Sequence, residues 1–360
     1  PVAFVRADGH AVWVNSKVLE QIDPKDLNRF GPDSKGGRVL RDGNGEPTGV
    51  LLDHAMSIVL EMIPKPSGAA IADWLRAAAH VFNHQGFTHI RDLTCNPEQW
   101  QEARKLEDRN ELTLAVEQYF DADPFSNFDR ALDAAKKARA DKSRLLRVKG
   151  IKVYYDGALG SEGALISHPY RSGATGLRLM TPEQFTEAAT RAWNEKFDLA
   201  IHVIGDQAAD EVARKAVELW DRGATGTLHL EHAELLRPET IQILKGRPVR
   251  CHIQPCHWLT DHHWLHEKIG DLAKHAFPWA KLQENGIEFD FGSDSPIETP
   301  SLESTIRGVA HSASSGIEKL RGDPLDFHQH PDREWTPNTQ TEIQNGRVSK
   351  VEFLGHSLIY

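Results

Sequence analysis

Cysteine is scarce in this chain. Its 360 residues hold three, Cys95, Cys251 and Cys256, and an odd, sparse set argues against a disulfide framework and for a reducing compartment. No apolar run reaches about eighteen residues, so no helical membrane span is expected. Surplus positive charge is missing too. The formal charge is −10 and the isoelectric point is near 6.0, which argues against nucleic acid or an anionic membrane as the main partner. There is no GxxxxGK[ST] phosphate loop and no GxGxxG turn after a strand. The GxSxG elbow of serine hydrolases is absent as well. Low-complexity tracts and short repeats are also lacking. The chain opens on Pro1 with neither an initiator methionine nor a signal peptide. A segment upstream is therefore expected, whose targeting content stays outside this reading. The expected location is the cytoplasm.

What is present is enough apolar residue, 39%, to bury a large core. Short β-rich runs alternate with amphipathic stretches, the pattern of a parallel α/β fold. Strands are predicted over 86–93, 112–120, 147–155, 198–205, 227–233, 248–255 and 287–293. Helices are predicted over 71–85, 96–110, 181–196 and 206–221, with a further one around 301–313. Asn96-Pro97 and Thr181-Pro182 supply an N-cap followed by proline at the first helical position. Seven strands are counted where a (β/α)8 barrel needs eight, so the first strand is expected upstream of Pro1. Residues 1–55 read as an elaboration after that strand, and 1–320 as the barrel unit. Residues 321–360 read as an antiparallel β appendage, with a hairpin turn at Asn345-Gly346. The abrupt join near 314–323 suggests residues missing there.

Lys152, His202, His232 and Asp294 each stand at or just past the end of a different predicted strand. That is where a barrel of this type builds its active site. Two imidazoles, a carboxylate and a lysine suit a divalent metal that activates water. For His202 the competing reading is a core histidine, and its strand-end partners favour the ligand. Asp206 behind it reads as a helix N-cap rather than a catalyst. On the 227–233 strand, alternation sets His232 and Leu230 on one face, with His229 and Glu231 on the other; His232 is chosen as nearer the strand end. Asp294 reads as ligand and proton acceptor, or as an ordinary turn aspartate before Ser-Pro. Lys152 is expensive to bury unpaired. It pairs with a carboxylate such as Asp156, or its amine is carboxylated by carbon dioxide and bridges two metals. The dense CHIQPCH run (251–257) has no second Cys/His cluster at finger-like distance. Gln254 and His257 there fit substrate contact, and Cys251 fits the core. Trp13, Tyr154, Tyr155 and Trp258 suggest an apolar or aromatic substrate.

The stretches DGHAVWVNSKVLE, DGNGEPTGVLLD, GFTHIRDL, KVYYDGALGSEGAL, HVIGDQAADEV, LEHAELLRPETI, IQPCHW and GSDSPIETPSLESTI run in order over about residues 6–310. Together they resemble the amidohydrolase superfamily, in the branch that includes N-substituted formamide deformylase. The resemblance implies a distorted (β/α)8 barrel with a small β-sandwich from both termini. It implies a divalent metal, usually zinc, as one or two ions, and hydrolysis of an amide-like, non-peptide C–N bond. Lys152, His202, His232 and Asp294 would hold the metal, Asp294 acting also as general base. His257 would assist catalysis, and His10, Asp92 and Gln254 would line the substrate pocket. Two departures stand out. The family's first-strand His-x-His pair is not found at the start of the chain, and HQH (328–330) is too far out of order to replace it. The helical stretch before the C-terminal sandwich is also missing. The expected activity is a metal-dependent amidohydrolase acting on a small molecule, in a chain that could self-associate. The rival reading is a non-catalytic, amidohydrolase-like regulatory or ligand-binding protein. A third keeps the fold and changes the reaction to isomerisation or ring opening.

Overall fold

Capped helices between short apolar runs leave little choice of architecture. In the computed structural model Asn96 and Gln99 close a reciprocal capping box ahead of the helix Pro97–Asp108, and Thr181 and Gln184 repeat it ahead of Pro182–Asn194. Helices Gly68–His84 and Asp206–Asp221 also follow the predicted ranges closely. The helix Phe128–Ala140 was not anticipated, although its alanines and leucine bury one face. The structure describes all residues except 7–8, 32–36, 316–319, 329–334, 336–338, 345–346, 354–355 and 360.

Four antiparallel strands come first: β1 (Ala3–Val5), β2 (Ala11–Val14), β3 (Gly37–Arg41) and β4 (Pro47–Asp53), in the order β1-β2-β4-β3. Val12, Val14, Val39 and Leu51 form a core of their own beneath this sheet. Seven parallel strands follow: β5 (His89–Cys95), β6 (Ala115–Asp121), β7 (Leu146–Tyr154), β8 (Asp198–Val203), β9 (Leu228–His232), β10 (Val249–Ile253) and β11 (Glu288–Phe291). They lie in chain order from β5 to β11, and each falls within its predicted range or within two residues of it.

This sheet is curled into an incomplete barrel. Arg91 on β5 and Glu231 on β9 are four strands apart along the sheet, yet their side chains meet at 2.9 and 3.2 Å. Contact at that separation is made across a concave interior. The edges β5 and β11 are not paired with each other. A three-stranded sheet of β12 (Gln340–Gln344), β13 (Arg347–Phe353) and β14 (His356–Ile359) ends the chain. Thr341 anchors it by donating to the Gly86 carbonyl at 2.7 Å. Gln344 opposite Arg347 agrees with the predicted hairpin; Asn345 and Gly346 themselves lie outside the described residues. Cys95, Cys251 and Cys256 are buried and unpaired. Among the described residues no helix is long and apolar enough to cross a membrane.

The barrel interior is polar. His252 donates from Nδ1 to Asp290 at 2.5 Å, and His252 Nε2 shares a 2.8 Å bond with His229 Nδ1. The Tyr119 hydroxyl lies 3.4 Å from His229 Nε2. Burial pushes the His229 imidazole down to about 4, against the pull of Asp198. In the unfolded chain the same group titrates near 6.5. Below that pH the unfolded state binds a proton that the folded state refuses, so stability falls as pH drops from about 6.5 towards 4. Urea unfolding at steps across this window should show the loss, with a shallower slope in His229→Gln.

Candidate metal centre and substrate cavity

At their C-terminal ends the barrel strands abandon regular geometry. His232, Ala233 and Asp294 have φ values of 72°, 46° and 58°. Such left-handed backbone is costly outside glycine and collects at functional sites. It also resolves the choice on β9. His229 and Glu231 point into the barrel, where they meet Tyr119 and Arg91. Simple alternation would send His232 the other way, with Leu230. The turn in the backbone at His232 breaks the pleat and brings its imidazole into the mouth.

A cavity of about 1520 Å³ opens there, bordered by Lys152, His202, His232, His257, Asp294 and His10. One nitrogen each from His232 and His257 and one Asp294 oxygen lie within 4.8 Å of one another. Asp294 Oδ2 is 3.9 Å from His232 Nδ1 and 4.0 Å from His257 Nε2. The His202 ring packs edge-on against His232, with centroids 4.6 Å apart. So His202, His232, Asp294 and Lys152 border one cavity, and His257, rather than His202 or Lys152, shares the close group with His232 and Asp294.

The imidazoles are kept in the form that binds cations. Burial pushes His257 down to about 4 and His232 to about 3, and pushes His202 well below its usual value, with His232 adding to the effect. Neutral imidazole is the ligating species. Gln254 fixes which nitrogen of His232 is available. Its amide nitrogen donates to the His252 carbonyl at 3.1 Å, so its oxygen faces His232 Nδ1, also at 3.1 Å, and accepts from it. The lone pair of His232 is then on Nε2, an outer partner setting the tautomer. His202 Nε2 and His257 Nε2 are buried with no hydrogen-bond partner. Unpartnered buried nitrogens beside a carboxylate fit a divalent cation.

Lys152 is 3% exposed, its Nζ 4.2 Å from the centroid of the Tyr154 ring. Burial pushes its amine down, against the pull of Glu231, Asp294 and Asp121. Asp156, weighed as its partner, is engaged elsewhere. It accepts from the backbone N–H of Leu165, Ile204 and Gly205 at 2.9, 3.0 and 2.8 Å. These bonds strap the 157–165 loop to the turn after β8, with Asp156 Oδ1 4.0 Å from His202 Nε2.

Other expected residues separate. Gln254 is buried and spends its amide on two histidine positions. Asp92 is turned onto Thr94, whose N–H donates to it at 3.0 Å. Both border a second cavity, of about 480 Å³, which shares His232 and Asp294 with the first. Of the four aromatic residues singled out, only Tyr154 borders the main cavity. Trp13 is 61% exposed on the first sheet, Tyr155 bonds Glu211, and Trp258 bonds His311. Asp206 lies at the start of its helix and accepts from Ser167 N, at 2.9 Å.

His10 does reach the mouth, and it arrives with a partner the sequence reading missed. Its Nδ1 donates to Asp53 at 2.7 Å, and its ring lies 5.2 Å from that of His202. Asp53 ends β4 at φ 48° with a side chain 2% exposed. The residue was visible in the stretch DGNGEPTGVLLD; nothing in the string says that this strand ends against the barrel.

The sequence profile of the amidohydrolase family matches residues 1–322. The chain belongs to the amidohydrolase family. A Bacillus subtilis (strain 168) protein, YtcJ, named as a candidate amidohydrolase, is 29% identical over 312 residues, covering 83% of this chain and 56% of that one. The N-substituted formamide deformylase of Arthrobacter pascens is a more distant relative, 26% identical over 243 residues, which is 65% of this chain and 44% of that one. The crystal structure of an uncharacterized metal-dependent hydrolase from Pyrococcus horikoshii OT3 superposes with a TM-score of 0.68 at 23% identity, covering 88% of this chain and 62% of that one. This amidohydrolase chain thus shares a barrel fold with it, and spans about half the length of the curated relatives it matches.

Substitutions at two positions test the mouth. Asp53→Asn keeps an acceptor for His10 and a residue tolerant of positive φ, whereas Asp53→Gly keeps the backbone and removes the acceptor. Imidazole NMR should show the His10 Nδ1–H tautomer retained in the first and lost in the second, with both melting near the parent. At Gly205 an added Cβ would lie 2.0 Å from the Leu165 carbonyl oxygen. Gly205→Ala should therefore destabilise by roughly 1–3 kcal/mol, seen as a lower melting temperature.

Proposed function

We propose that this chain carries most of the barrel of a metal-dependent hydrolase that cleaves an amide-like, non-peptide C–N bond in a small molecule. The observation that carries the reading is the gathering of His232, His257 and Asp294 ligand atoms within 4.8 Å at a cavity mouth. His202, His232 and Asp294 would hold a divalent cation such as zinc, with Lys152, free or carboxylated, behind them. When bound, the cation supplies Lewis acidity and a nucleophile from water near neutral pH.

The residues of the chain do the rest. Asp294 accepts the proton of the attacking water and returns it to the leaving nitrogen. Burial raises its carboxyl, against the pull of His257 and Lys152, which brings its basicity nearer to working pH. His257 donates to the substrate carbonyl oxygen, and His10, oriented by Asp53, positions the acyl or amine part. Ile63, Leu60 and Trp264 border the cavity and favour an apolar substituent. A cytoplasmic setting belongs to the same proposal.

A second reading of one residue has a specific observation behind it. His257 lies within the three-residue ligand group, while His202 flanks it, so His257 would be a ligand rather than a carbonyl donor. Metal analysis of the purified protein decides both points. About one equivalent of metal or more is expected, with activity on N-formyl or N-acyl amines abolished by a chelator. His232→Ala should lose metal and activity together. Asp294→Asn should lower kcat at least ~100-fold and weaken metal binding, since it removes both the base and a ligand charge. His257→Ala keeps its metal if His257 faces the carbonyl, and loses it if His257 is a ligand. A metal-free, folded and inactive parent would support the non-catalytic alternative instead.

A further inference from the structure

The first sheet and the barrel are two bodies with one cavity between them. Val12, Val14, Val39, Leu51, Met56 and Val59 belong to a core separate from that of the barrel. Residues 61–67 join the two bodies, and all are exposed and outside any helix or strand. Pro64 and Pro66 favour an extended course for this linker. Its far end is fixed where the Ser67 hydroxyl accepts from Ala70 N at 3.2 Å and caps the helix Gly68–His84.

The first body still supplies a wall of the main cavity. His10, Asp53, His54 and Ser57 all border it, and the His10 ring lies 5.2 Å from that of His202. Across the seam His54 Nε2 donates to Asp123 Oδ1 at 2.9 Å. Asp123 follows β6, and Asn127 steadies it by donating to its carbonyl at 2.8 Å. The two side chains are 19% and 41% exposed. A pair so open to water is weak. It can part without unfolding either body, because each keeps its own core. We propose that the first sheet is a lid, hinged at residues 61–67 and latched to the barrel by His54 and Asp123. Closed, the lid sets His10 and Asp53 at the mouth. Open, it withdraws both and widens the way to the candidate ligands. Pockets favour the seam between two bodies, and hinge closure around a ligand is a recurrent motion there. The lid requires neither metal nor reaction, so its failure and that of the hydrolase reading are separable.

Modification of the full-length protein by diethyl pyrocarbonate, mapped by mass spectrometry, reads the opening. His10 is the reporter, with a side chain 17% exposed. His80, exposed on the helix Gly68–His84, corrects for reagent, and His252, 3% exposed inside the barrel, reports general loosening. Asp123→Ala and His54→Ala should each speed modification of His10 roughly tenfold, with His80 and His252 unchanged. The double variant should be no faster than either single one, and the exchanged pair, His54→Asp with Asp123→His, should slow the reaction again. If His54→Ala does not fold, Asp123→Ala carries the comparison. An unchanged His10 rate in Asp123→Ala overturns the proposal. A matching rise at His252 overturns it in favour of a general brace. Additive effects in the double variant overturn it as well, since a latch already parted cannot part again.

Discussion

A charged carboxylate stands at the centre of the curled sheet, and much of the site follows from how it is held. Burial opposes the charge on Glu231, yet the bidentate contact from Arg91 outweighs that cost and keeps its carboxyl well below the usual range. A buried pair of this kind adds little net stability, but losing one partner is severe, roughly 3–5 kcal/mol. Arg91 is on β5 and Glu231 on β9, so the pair also fixes the curvature of the sheet. That curvature brings the ends of β7, β8 and β9 round one mouth.

The same desolvation that strains Glu231 prepares its neighbours. Water is displaced from His202, His232 and His257, and each imidazole is driven towards its neutral form. Removing water from a cationic group and offering a lone pair to a cation are two views of one effect. Lys152 is driven the same way, against three carboxylates. An amine so placed is nearer to the uncharged form that reacts with carbon dioxide. The imidazoles and the amine of the site are thus shifted towards their proton-free states before any ligand enters, while burial moves the Asp294 carboxyl the other way.

Strand positions and helix starts were legible because they rest on local chemistry. Asn96-Pro97 and Thr181-Pro182 cap helices wherever they occur, and β-branched runs seek a buried sheet. Lys152, His202, His232 and Asp294 were legible as residues of the mouth because each stands at or just past the end of a strand, where a barrel opens its cavity. Phe128–Ala140 starts without the capping signal: Asn127 makes no side-chain cap bond and no proline opens the helix. Gln254 and Asp92 border a second cavity that shares His232 and Asp294 with the first; a motif does not say which of two adjoining cavities a side chain faces. Asp53 escaped because its meaning is tertiary: it needs the first sheet to end against the barrel, where His10 donates to it.

The mouth is assembled by two cores that could have evolved their shapes separately. The first sheet packs Val12, Val14 and Leu51 beneath itself, and its side of the cavity includes His10 and Asp53. The barrel contributes the candidate ligands. His202 and His232 stand on strands, Asp294 in the turn after β11 and His257 on the short helix Pro255–Asp261, and placement to a fraction of an ångström governs metal affinity. The pocket wall, by contrast, is drawn from loops and from a separate sheet, which can change without disturbing the ligand geometry. The wall that can vary without moving the candidate ligands includes Asp53 at the end of β4 and Trp264 beyond the helix Pro255–Asp261.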